Sequence, residues 1–404
     1  MHHALLGRKL LTAESTRVGR IQLDALTGVR FLASSAIVYQ HMSGSYGTTK
    51  SAYPLHMGVM VFFILSGFIL THVYPTMPSV ADARRFLLAR FARIWPLHAV
   101  CFALPVILYL PFPSRVFPVW ATTALFNITL MQSWIPTFKF ALSFNAVSWT
   151  ISVETFFYLL FPLLIIGFAR SWAWKLALAF FGLVFLVALS ASFQLPKYAG
   201  DMTIVTSTSL VSVTPLSRLF EFVIGMCCCL AWKKWRHLLP TRFFTATLLE
   251  GAIFAALICA IIMTKPFVAA VLPIIGPNWG EWFSSVGSCL PFAVLFLVVL
   301  ANGAGLFGWL LASRPLVFLG EISFATYMIH QIIQVNFALN FNALKDMYWL
   351  SAIALYLSLV FVASVALHYG IERPARRYLT RPRPANGNMP GVEPGIEELR
   401  PAAA

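Results

Sequence analysis

The sequence predicts an all-α fold, a polytopic transmembrane helical bundle of about ten spanning helices. Three observations predict it. Of 404 residues, 59% are hydrophobic and only 11% charged, against roughly 25% charged in an ordinary soluble domain. Apolar runs of bilayer-spanning length recur along almost the whole chain, and each needs about 20 residues to cross. The basic residues collect in short stretches between those runs, as in cytoplasmic loops. The mean hydropathy of +0.79 agrees. A soluble enzyme is excluded. The count of 29 Lys+Arg against 14 Asp+Glu gives +15, but its clustering between spans points to topology, so no nucleic-acid partner is expected.

The runs fall near residues 24–43, 57–74, 95–112, 118–134, 149–168, 173–193, 215–232, 245–263, 284–303, 316–337 and 347–371. Charge clusters sort them. Arg8, Lys9, Arg17 and Arg20 put the N-terminus inside; Arg84, Arg85, Arg90 and Arg93 put the second loop inside. Lys233, Lys234, Arg236 and Arg242 mark another inside loop, and Arg373, Arg376, Arg377, Arg381 and Arg383 an inside C-terminus. Two inside ends require an even number of crossings, and the runs are odd in number. The polar run 118–134, with Asn127 and Gln132, is therefore read as a re-entrant or interfacial segment or a half-helix lining a cavity. Three regions follow: a basic cytoplasmic N-terminus (1–22), a membrane domain (23–379) and a tail (380–404) whose Pro, Gly and Glu content predicts disorder. Residues 1–22 lack signal-peptide character, and the first apolar run carries Arg30. The six cysteines, three of them consecutive at Cys227, Cys228 and Cys229, read as packing residues. No Walker A loop, HExxH, paired CxxC or GxSxG is present, so no metal site and no covalent serine is expected.

Ionisable residues inside spans are costly and point to function. Arg30 and His41 share the first span. Eleven residues turn about 1100°, about 20° past whole turns, so both face one side, about 16 Å apart along the axis. Either they form a cation and a titratable base, or they snorkel and pair individually. In FFILSGFIL (62–70), Ser66 and Gly67 permit close helix approach. Arg90 and Arg93, at i and i+3, share a face and suit either phosphate or anionic lipid and topology. Glu154 lies within a span, with Trp149 about one turn before it and Tyr158 at i+4. That set resembles a carbohydrate platform, or supplies a counter-ion to Arg30. Arg218 and Glu221, at i and i+3, neutralise one another. His330 packs as a buried polar residue or lines the same cavity, and Glu372 caps the last span or pairs with nearby arginines.

Taken together, these segments resemble the acyltransferase 3 family of integral-membrane acyltransferases. LDALTGVRFLASSAIVYQH (23–41) carries the family's Arg and His separated by ten residues. VFFILSGFIL, RFLLARFARIWP, SWTISVETFFYLLFP, RLFEFVIG, LGEISFATYMIH and IERP follow in the family's order. The departures are Ala25, Val29 and Phe31 around Arg30, Ile151, and Ile329 and Gln331 around His330; they avoid the ionisable residues and bear on substrate preference. The resemblance implies a ten-helix core and transfer of an acyl group, commonly acetyl from acetyl-CoA, to a hydroxyl of a sugar in a polysaccharide, lipopolysaccharide or glycolipid. It implies His41 as catalytic base with Arg30 and Glu154, and a donor site of Arg90, Arg93, Ser66 and Gly67. Trp149, Tyr158, His330, Arg218 and Glu221 would line the cavity or hold the acceptor. No tightly bound cofactor is implied; acyl-CoA, the sugar acceptor and membrane lipids are the expected partners. The chain resembles stand-alone members without an esterase-like extension, in a bacterial inner membrane with both termini cytoplasmic. Direct transfer and an acyl-histidine intermediate both remain open. The alternative reading is a transporter or flippase, since membrane arginines, a histidine and a broken helix also describe a substrate pathway.

Overall fold

A computed structural model describes residues 24–45, 49–108, 117–340 and 348–380. The basic N-terminal stretch, Lys345 and the tail from residue 381 lie outside the described residues. The principal helices are α1 (24–42), α2 (Gly58–Val73), α3 (Val80–Leu108), α4 (Phe117–Ile128), α5 (Trp149–Ile165), α6 (Phe168–Ser192) and α7 (Pro215–Trp235). There follow α8 (Phe243–Trp282), α9 (Leu290–Leu300), α10 (Arg314–Glu321), α11 (Ser323–Asn340), α12 (Trp349–Leu367) and α13 (Arg373–Leu379). Among the described residues there is no strand, only an isolated bridge between Thr137 and Val205.

Among the described residues, seven helical stretches are long and apolar enough to cross a membrane, or eight when α10 and the start of α11, bent by 58°, count as one. The stretch Phe243–Leu300 is 58 residues long, which at 1.5 Å per residue is nearly three times the hydrocarbon thickness. It is a hairpin. Gly276 has φ 73°, open to glycine and rare for other residues, and Pro277 follows it. Beyond that break the partners fall symmetrically: Phe267 on Phe283 (5.8 Å between centroids), Thr264 on Ser288 (3.0 Å) and Phe254 on Phe296 (5.5 Å). Counting the hairpin as two passages and adding α1, whose apolar stretch is diluted by Asp24, Arg30 and His41, brings eight to ten.

Run 118–134 folds as a re-entrant element. Helix α4 has 12 residues, about 18 Å, too short to cross. Its C-terminal carbonyls meet the middle of α3: Trp95 Nε1 donates to Ile128 O at 3.1 Å, and His98 Nε2 to Asn127 O at 2.9 Å. The chain then turns at Leu130 (φ 60°). It leaves towards the loop after α6, where Lys139 N donates to Met202 O at 2.9 Å. A half-helix at this depth is tolerated because protein, not lipid, satisfies its carbonyls. A topology reporter fused at Lys139 should therefore read the side opposite one fused at Arg84. The same side for both would mean that 118–134 crosses completely.

The centre of the bundle is the crossing of α2 and α7. A side chain at Gly67 would strike the Phe222 carbonyl oxygen, and one at Gly225 the Ile64 carbonyl oxygen. Reciprocal small residues let two backbones touch, and the crossing turns the neighbouring Ser66 towards α5 and α3.

Candidate active site

Five helices line a partly open cavity, whose polar lining includes Arg30 from α1, Ser66 from α2, Arg90 and Arg93 from α3, and Glu154 and Tyr158 from α5. The i, i+3 spacing of the two α3 arginines puts both on the cavity side, as the sequence predicts. Glu154 accepts from Ser66 Oγ at 3.4 Å and from the Tyr158 hydroxyl one turn away. Arg30, 9% exposed, lies within electrostatic range of Glu154, Glu372, Tyr158 and Arg93. Arg90 stands over three rings, Tyr74 at 6.0 Å and Phe86 and Tyr158 at 5.8 Å each. Such a box orients a guanidinium through its flat faces and leaves its in-plane N–H groups for an anion.

The two histidines meet just past the inner wall of this cavity. Tyr327 and Thr150 line that wall, with the Thr150 hydroxyl donating to the Tyr327 hydroxyl at 3.0 Å. One turn along α11 from Tyr327 is His330, fully buried. Its Nδ1 lies 2.7 Å from the Tyr327 carbonyl oxygen, and its Nε2 2.8 Å from His41 Nδ1. The rings are stacked, 5.1 Å apart and 11° from parallel. A carbonyl oxygen only accepts, so His330 Nδ1 carries a proton. With both rings neutral, His330 Nε2 then accepts from His41 Nδ1–H, which leaves the His41 Nε2 lone pair free to act as a base. Gln334 Nε2, donating to the His41 carbonyl at 2.5 Å, holds the end of α1 against α11. The same helix is tied to the exit of the re-entrant segment, where Asn145 Nδ2 donates to Met328 O at 2.8 Å.

The residues singled out from the sequence thus separate into two groups. Arg30, Ser66, Arg90, Arg93, Glu154 and Tyr158 share the cavity. His41 and His330 form the second group, and the partner of His41 is His330 rather than Glu154. Gly67 serves the α2–α7 crossing and is absent from the lining. Trp149 is five residues from Glu154, about 140° past one full turn, and so faces elsewhere: it lies 5.8 Å from Arg218. Arg218 and Glu221 form a buried ion pair at 3.2 Å, with Phe63, a cavity-lining residue, 5.3 Å from the guanidinium. Tyr327 and Thr150 were missed. Their i, i+3 and i, i+4 relations to His330 and Glu154 are the local signal that could have found them.

The family model for the acyltransferase domain of the acyltransferase 3 family matches residues 23–369. The chain belongs to that family. It is 30% identical over 396 residues to acyltransferase MdmB of Streptomyces mycarofaciens, covering 90% of this chain and 94% of that one. It is 22% identical over 329 residues to peptidoglycan O-acetyltransferase OatA of Listeria monocytogenes, covering 78% of this chain and 50% of the relative. To O-acetyltransferase OatA of Staphylococcus aureus it is 24% identical over 324 residues, covering 76% of this chain and 50% of the relative. The chain therefore spans about half the length of these O-acetyltransferases and nearly all of the Streptomyces relative. No solved structure matches it. The protein is an integral-membrane O-acyltransferase, and five of the seven segments that resemble the family, those carrying Arg30 and His41, Ser66, Arg90 and Arg93, Glu154, and His330, build the cavity and the histidine pair.

Proposed function

We propose that this acyltransferase 3 protein moves an acyl group, acetyl in the simplest case, from acyl-CoA to a hydroxyl of a membrane-associated carbohydrate. The observation that carries the reading is the pairing of a polyarginine cavity with an oriented histidine base beyond its inner wall. In this reading the basic end of the bundle faces the cytoplasm, where acyl-CoA is available, in a bacterial inner membrane. The relatives named as peptidoglycan O-acetyltransferases favour a sugar acceptor.

The chemistry is direct transfer. The acceptor oxygen attacks the thioester carbonyl carbon while its proton passes to His41 Nε2. His330 stabilises the imidazolium by keeping the Nδ1–H bond. Arg30 stabilises the developing oxyanion. Collapse breaks the carbon–sulfur bond, and the thiolate recovers the proton from His41, so the enzyme ends as it began. A sugar hydroxyl is a poor nucleophile at neutral pH, and a positioned base contributes about 10²–10⁴-fold.

Arg90 and Arg93 hold the donor's phosphates. Arg90→Ala or Arg93→Ala should weaken acyl-CoA binding about tenfold or more, as expected for loss of a charge-assisted contact worth roughly 1.5–3 kcal/mol. Binding is measured on detergent-solubilised protein that keeps its melting temperature; unchanged affinity in both variants removes the assignment. The function itself is tested with radiolabelled acetyl-CoA and glycan acceptors on protein in lipid nanodiscs. Label in the glycan hydroxyls supports the reading, and substrate passage without label transfer would replace it with transport.

A further inference from the structure

Glu250 is a carboxylate outside the cavity, buried in the first turns of α8. None of the ion pairs formed by the described residues includes it. A charge inside a span is costly, and here three backbone N–H groups satisfy it. Gly305 N donates to Oε1 at 3.0 Å, and Phe307 N and Gly308 N donate to Oε2 at 2.9 and 3.2 Å. These groups open the short helix Leu306–Leu311, whose first N–H groups have no partner within the helix. Thr247, one turn before Glu250, accepts the Leu306 N–H on its hydroxyl at 2.9 Å. The approach is so close that a side chain on Gly305 would strike the Glu250 carboxylate. Two side chains of α8 thus fix where the short helix starts and how it points.

The far end of the short helix touches α1. A side chain on Gly28 would strike the Leu311 carbonyl oxygen, and one on Gly320, in α10, would strike the Thr27 carbonyl oxygen. At both points α1 rests backbone against backbone, with no side chain between that could yield. Gly28 and Arg30 are two residues apart, about 200° around the helix. The Leu311 contact therefore lies nearly opposite the guanidinium that lines the cavity. This hard contact behind α1 sets how deep Arg30 reaches, and the cap on the short helix sets the contact. Resting on the transfer reading above, in which Arg30 meets the developing oxyanion, we propose that Glu250 is a positioning residue for the reaction. It caps the helix that backs α1 and so holds the Arg30 guanidinium at the reacting carbonyl.

The test measures kcat and the donor KM with acetyl-CoA and a glycan acceptor on full-length protein in lipid nanodiscs. The variants are Glu250→Gln and Thr247→Val, each alone and combined with Arg30→Lys. Glu250→Gln offers the three N–H groups one neutral oxygen in place of two charged ones. Its kcat should fall by about 10- to 10²-fold, the cost of a displacement of about 1 Å imposed from outside the reacting centre. The donor KM, assigned above to Arg90 and Arg93 on α3, should hold, which also shows the variant folded. Thr247→Val removes a single bond of the cap and should give a smaller loss in kcat alone; it carries the test where Glu250→Gln does not assemble. In the Arg30→Lys background, already without the planar fork, both substitutions should cost little. Losses of equal size in the two backgrounds, a raised donor KM, or an undiminished kcat overturn the inference and leave the transfer reading intact. Full activity of Arg30→Lys removes the role of Arg30 and the inference with it. No transfer by wild type fails the transfer reading itself.

Discussion

His41→Ala is expected to lose transfer by about 10²–10⁴-fold, the typical contribution of a positioned general base, with expression and donor affinity unchanged. The arginine-lined cavity, proposed above as the donor site, does not include His41 among its lining residues, so the loss should fall on kcat and leave the KM for donor in place. The companion at His330 separates orientation from packing. His330→Ala removes the acceptor for His41 Nδ1–H and frees the ring to adopt the unproductive tautomer. His330→Gln offers a side-chain oxygen to that same N–H and should restore part of the rate. Transfer assays on purified His41→Ala, His330→Ala and His330→Gln decide this. A fully active His41→Ala enzyme would sink the mechanism, and equal activity of the two His330 variants would reduce His330 to a packing residue.

Arg30→Lys is expected to cost about 10²–10³-fold in kcat, the range seen when one oxyanion donor is removed from an active site. The substitution keeps a positive charge within electrostatic range of Glu154 and Glu372. It removes the planar fork, which can reach a carboxylate and a substrate oxygen together, and leaves a point charge. Arg30→Ala is a poorer probe. It removes a buried guanidinium from the electrostatic range of Glu154 and Glu372, and loss of folding would mask loss of catalysis. Measured on the stable Lys variant, full activity would reduce Arg30 to a generic cation; a drop in kcat with donor KM preserved would support its place at the reacting carbonyl.

What could be read in the sequence is what helical geometry makes local. The run lengths define the bundle, and the polar run 118–134 stands apart from the spans in the sequence as it does in the fold, where its helix has 12 residues. The i, i+3 and i, i+4 spacings put Arg90 beside Arg93, Tyr158 beside Glu154 and Arg218 beside Glu221, because neighbours one turn apart share a face whatever surrounds them. The same rule, applied without enough care, also drew Trp149 towards Glu154, although five residues carry it well off that face. Run 245–263 and run 284–303 were legible as two spans, but the Gly276 hinge between them was not.

What only the tertiary structure decided is which distant segments meet. His41 and His330 are 289 residues apart, and Ser66 and Glu154 are 88 apart. In a bilayer the apolar faces of helices are interchangeable to lipid, so hydrophobic pattern does not choose their neighbours. The choice is made by close backbone approach, as at Gly67 against Phe222, and by buried polar groups that must find partners. The sequence by itself therefore determined a membrane bundle and its inventory of costly side chains. Packing sorted that inventory into an arginine-lined cavity and a histidine pair, with Glu154 turned to Tyr158 and Ser66 and His41 handed to His330, because the helix crossings placed those donors and acceptors within reach of one another.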